Sequence, residues 1–140
     1  MIGRLASGLF LAGLLAGCGG PRGPVAVEPA PHGGTLAPLP DGKGHLELLM
    51  EPDPAKSTMA RLTVFYLDAG RKPMAAPPTS AKLSSPDVGP TPLDLKPVEG
   101  GGPAKAGGLV SPPFRSRGEI VGEVTATIDG QSVVAPINIR

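Results

Sequence analysis

The chain holds one cysteine and no tryptophan in 140 residues. A single thiol closes no internal disulfide and builds no thiolate metal cage, which excludes a disulfide-stapled scaffold and a zinc ribbon. Aromatic side chains amount to three phenylalanines and one tyrosine. Phe10 falls in an N-terminal apolar run, and Phe65, Tyr66 and Phe114 are too few for a base-stacking platform or an aromatic sugar site. Excess charge of one sign is missing as well, with 13 Lys and Arg against 12 Asp and Glu. No nucleic-acid partner is therefore expected. The 19 prolines and 21 glycines leave no room for long helices.

What is present starts with Met1-Ile2-Gly3-Arg4, followed by an uncharged stretch from Leu5 to Ala16 that contains Leu9, Phe10, Leu11, Leu14 and Leu15. That is a signal-peptide core, too short to span a bilayer. It ends in Leu15-Ala16-Gly17-Cys18, which resembles the lipobox of bacterial prolipoproteins. A branched apolar residue and two small ones let a peptidase grip the extended backbone, and the cysteine takes the lipid. Residues 1–17 are thus expected to direct export and Cys18 to carry palmitate-type acyl chains, each buried methylene adding about 0.8 kcal/mol of membrane affinity. Gly19 stands where an inner-membrane retention signal would place aspartate, so the expected location is the cell envelope, lipid-anchored to the outer membrane and facing the periplasm.

Cleavage before Cys18 removes only one charge, Arg4, and leaves 12 basic and 12 acidic residues. All 19 prolines follow the cleavage point. Residues 18–31 (CGGPRGPVAVEPAP) have little to bury and read as a flexible Pro/Gly-rich tether. Residues 32–140 read as one β-domain. Thr35-Leu36-Ala37-Pro38-Leu39 is confined to a sheet edge by Pro38 and Pro40, and Pro40-Asp41-Gly42-Lys43-Gly44 is a turn. His45 to Met50 alternates, with Leu46, Leu48 and Met50 on the core face and His45 and Glu47 on the other. Met59 to Asp68 is the most apolar run after the signal and predicts a central strand. Thr79 to Leu83 and Leu93 to Val98 predict short strands, and Glu99 to Gly108 a loop.

Asp129-Gly130 predicts a two-residue hairpin turn between Glu119–Ile128 and Gln131–Arg140. Facing residue numbers then sum to 259, so Ile120 faces Ile139, Val124 faces Ala135, Ala126 faces Val133 and Glu119 faces Arg140. Apolar meets apolar and acid meets base. Six or seven short strands without helical periodicity predict an all-β fold, an immunoglobulin-like antiparallel β-sandwich. A small Greek-key barrel fits the same pattern.

Pro31-His32-Gly33-Gly34, then His45-Leu46-Glu47-Leu48, then Leu62 to Asp68 with Lys72-Pro73 behind it resemble a small periplasmic β-domain. That domain occurs alone in bacterial lipoproteins and fused to the periplasmic adaptor (membrane fusion) proteins of heavy-metal efflux pumps. The resemblance implies an envelope role near metal efflux and an envelope protein partner. The adaptors' lipoyl and α-hairpin domains have no counterpart here.

For chemistry, His32 is the candidate metal ligand, since a neutral imidazole suits periplasmic transition metals. The alternative is a turn residue beside two glycines chosen for backbone freedom. His45, the other imidazole, lies about six strand residues nearer the turn, roughly 20 Å away at 3.3 Å per residue, and should not share a metal with His32. Met50 and Met59 fit core positions, and Met74 offers one thioether. Serines 80, 84, 85, 111, 116 and 132 lie mostly in or beside turns, and Glu119 and Glu123 sit on a solvent face. No catalytic residues and no cofactor are expected, a transition metal at His32 aside. The expected function is a membrane-anchored, non-enzymatic binding or structural domain, with metal binding through His32 as the alternative.

Overall fold

A computed structural model describes residues 29–100 and 106–140. The expected signal peptide, Cys18, residues 18–28 of the tether and residues 101–105 of the loop lie outside the described residues. Among the described residues no helix is long and apolar enough to cross a membrane.

Eight antiparallel strands form one sheet: β1 (Thr35–Pro38), β2 (His45–Pro52), β3 (Ala60–Leu67), β4 (Ala81–Ser84), β5 (Leu93–Pro97), β6 (Leu109–Val110), β7 (Ile120–Ile128) and β8 (Gln131–Ile139). Their spatial order is β1-β2-β3-β6-β5-β4-β7-β8. The end strands β1 and β8 lie against each other, and Lys43 Nζ donates to Gln131 Oε1 at 2.7 Å near that seam. The result is a nearly closed, barrel-like sheet. The all-β antiparallel class expected from the sequence is observed. The finer expectation of two stacked immunoglobulin-like sheets is not confirmed, because β5 bonds both β4 and β6 and carries the ladder through without a break.

Period-two patterning places the side chains. Leu46 and Leu48 of β2, Leu62, Val64 and Tyr66 of β3, and Leu83, Leu95, Ile120 and Val124 all point into one apolar core. Each such leucine or isoleucine contributes about 1.5–3 kcal/mol by leaving water. Among the described strands β1 pairs only with β2, the edge position that Pro38 requires. In β7 and β8 all nine facing pairs from Ile120↔Ile139 to Ile128↔Gln131 match the register that the turn dictates. Asp129 and Gly130 have φ of 51° and 75°, the left-handed pair of a tight hairpin turn. The Glu119 carboxylate accepts from Arg140 Nε at 3.3 Å. β6 is the strand that the pattern misses, since two residues display no periodicity.

β3 departs from half-burial. Its outward residues Thr63, Phe65 and Leu67 are as buried as its inward ones. Something covers this part of the barrel's outer face, and over Phe65 that cover is the segment carrying His32.

Candidate functional site

β2 and β3 pair in a register that sets Glu47 opposite Phe65 on the outer face. The chain before β1 turns at residues 30–33, where the Gly33 N–H donates to the Ala30 carbonyl at 2.9 Å, and crosses over that pair. His32 stacks on Phe65, ring centroids 3.8 Å apart and planes 7° from parallel. Glu47 lies beneath, with no exposed surface. Its Oε1 accepts the backbone N–H of His32 at 2.6 Å and of Gly34 at 3.0 Å, while its Oε2 pairs with His32 Nδ1 at 2.7 Å.

The two glycines have separate reasons. Gly33 has φ +79°, where a side chain is strained. A Cβ on Gly34 would stand 2.6 Å from the Leu48 carbonyl oxygen, so only glycine brings the loop close enough to reach the carboxylate. The His-Gly-Gly tripeptide is therefore a loop fitted to Glu47.

Glu47 was expected on the solvent face of a half-buried strand, and the structure corrects this: the strand face is right, but the His32 loop closes over it. The available signal lay on β3, whose alternate residues Phe65 and Leu67 are as apolar as its core set and so call for a cover. The expected 20 Å between the imidazoles is corrected as well. It assumed that β1 runs straight back to His32, whereas the chain folds over β2, so His32 bonds a residue two positions from His45, about 7 Å along the strand.

The ring has one nitrogen committed to Glu47. Such a carboxylate fixes ring orientation and, with Nδ1 donating, leaves the Nε2 lone pair for another partner, the arrangement found behind metal-ligating histidines. Side-chain exposure of His32 is 23 %. Among the described residues no group of three or more His, Cys, Asp or Glu converges on a point that could hold a metal ion. Among the described residues His45 Nδ1 and Tyr66 Oη are buried without hydrogen-bond partners, and burial pushes the Tyr66 phenol well above its ordinary range.

Comparison with family models, curated proteins and solved structures gives no match.

The other singled-out residues are scattered. Met50 is half-buried and packs against the core, with Ser116 Oγ 3.4 Å from its sulfur, and Met74 also packs on the core edge. Ser111 and Ser85 are buried, their hydroxyls bonded to the Pro112 and Val121 carbonyls. Glu119 and Glu123 are exposed. A second acid missed in the sequence is Asp53, 3 % exposed, which pairs with Arg61 Nε and accepts the Ala55 N–H at 2.9 Å. Burial works to raise its carboxyl pKa, but Arg61 and the backbone donors outweigh it and hold the carboxyl below its ordinary value.

Proposed function

We propose that this chain is a bacterial envelope lipoprotein, exported by residues 1–17 and anchored through lipid on Cys18. Its β-domain acts through binding or structure rather than catalysis. One observation carries the non-catalytic reading: both Glu47 oxygens and the His32 ring nitrogen beside them are spent on holding residues 32–34 to β2. Asp53 is likewise spent on Arg61 and a turn. The anchor rests on the Leu15-Ala16-Gly17-Cys18 motif, and Gly19 favours the outer membrane, facing the periplasm. An envelope protein is the partner class, and an association with metal efflux rests on the resemblance of residues 31–73 alone. On fold type, an immunoglobulin-like antiparallel β-sandwich is proposed, supported by a sheet whose halves meet at β5 and face one core.

The second reading, a periplasmic metal-binding protein, is favoured by one feature: Glu47 orients the His32 ring and leaves Nε2 unused by it. Calorimetric titration of the chain with Zn²⁺, Cu²⁺ and Cu⁺, beside His32→Ala, separates the two. Heats that do not saturate, or that survive the substitution, are expected. One-to-one binding at micromolar affinity or tighter that vanishes in the variant would replace the first reading with the second.

A further inference from the structure

A concave feature lies at the barrel end where the β2–β3, β4–β5 and β6–β7 connections meet. It is a groove of about 590 Å³, lined among others by Thr58, Asp87, Gly89, Arg115, Ser116 and Arg117. The segment bearing the two arginines is held on its N-terminal side. Pro112 and Pro113 restrict the backbone before it, and Phe114, 5 % exposed, exchanges backbone bonds of 2.9 and 2.8 Å with Ala60. Ser116 Oγ accepts the Gly118 N–H at 3.1 Å. Arg115 and Arg117 thus flank an anchored serine.

Among the described residues neither guanidinium has an ion-pair or hydrogen-bond partner. The acid in the groove, Asp87, forms no ion pair with either arginine and offsets one of their two charges. Asp87 Oδ2 accepts the Val121 N–H at 2.9 Å and lies 3.5 Å from Ser85 Oγ, which ties the carboxylate to β7 and its own turn. Of the neighbouring charges, Glu119 pairs with Arg140, and Lys56 precedes Thr58 on the β2–β3 connection and adds positive charge. The overall charge balance thus hides a local surplus of cations around a cavity.

Each guanidinium presents a planar fork of donors that matches tetrahedral oxyanions, and partnerless arginines are already free to turn to one. The volume lies within the roughly 300–1,000 Å³ of small-molecule sites and far exceeds the ~30 Å³ share of a water molecule. There is room for an oxyanion with an organic substituent. We propose that this groove binds a phosphate group through Arg115 and Arg117, with Thr58 on its wall, on a ligand that is either a soluble phosphate ester or a lipid headgroup.

The test follows arginine Nε–Hε resonances of the full chain in maltoside micelles during titration with glycerol phosphate. A parallel arm compares phosphatidylcholine nanodiscs with and without phosphatidylglycerol. Saturable shifts at Arg115 and Arg117, weakened about tenfold for each arginine replaced by glutamine, are expected, with Lys82→Gln unchanged. Retained dispersion of the amide spectrum checks that the Arg115→Gln and Arg117→Gln variants fold. Shifts with glycerol phosphate assign the site to soluble phosphate esters, and shifts only with phosphatidylglycerol assign it to a headgroup. Absence of saturation in both arms, or saturable shifts of the Thr58, Asp87 and Ser116 backbone amides that survive Arg115→Gln with Arg117→Gln, would overturn the proposal.

Discussion

At Glu47 a carboxylate without exposed surface holds two backbone N–H groups and an imidazole, all from His32 and Gly34. Removing the imidazole leaves that carboxylate short of a partner and Phe65 short of its stacked ring. His32→Ala is expected to cost about 2–4 kcal/mol in urea unfolding. Adding Glu47→Gln to His32→Ala should recover part of that loss, because no charge is then buried with too few partners. A loss below about 0.5 kcal/mol, the scale of ordinary surface changes, would mean that the loop does not depend on the pair. Asp53 gives a pH signature. Its carboxyl is held below the ordinary value of 3.8, so the folded state binds its proton less readily than the unfolded state. The stability this provides is present above pH 3.8 and is lost as pH falls below it. Asp53→Asn should flatten the acid limb of a stability-against-pH curve, and an unchanged limb would assign acid sensitivity to other carboxylates. Neither acid was legible from its own segment, because burial of Glu47 and Asp53 is decided by partners 13 to 15 and 2 to 8 residues away.

Among the elements, the β7–β8 hairpin was readable to the residue. Asp129-Gly130 fixes the turn, the turn fixes the register, and a one-residue slip would move every core side chain to the solvent face. β2 was readable in face and position from period two, and β3 in position from its apolar run. Two elements were not. β6 is two residues long, and the crossing of residues 30–34 over β2 is set by a carboxylate in another strand. Gly122 shows how closely the elements fit: a Cβ there would stand 2.2 Å from the Ser84 carbonyl oxygen and 2.7 Å from Ser85 Cβ. Those atoms belong to β4 and the turn after it, so Gly122→Ala must spread the β4–β7 seam. It is expected to cost about 1–3 kcal/mol by thermal or chemical denaturation. Thr127→Ala, on the exposed face of the same strand, should stay within about 0.5 kcal/mol of the parent. Equal effects of the two would contradict the close approach.

For the whole molecule, eight strands nearly close around one apolar core, and Arg115 and Arg117, without partners among the described residues, line a groove at one end of it. The strand count and the near-closure were beyond the sequence. Short strands joined by Pro/Gly turns fit a split sandwich as well as a continuous sheet, and the choice lies in β5 bonding on both sides. The lipid anchor proposed at Cys18 decides where this β-domain works. The direct measurement is the intact mass of the chain recovered from the membrane fraction of a Gram-negative host, beside Cys18→Ser. Loss of residues 1–17, added acyl mass on a peptide that begins at Cys18, and neither in the variant are the expected results. A chain cleaved elsewhere, or carrying Cys18 as a free thiol, would contradict the claim.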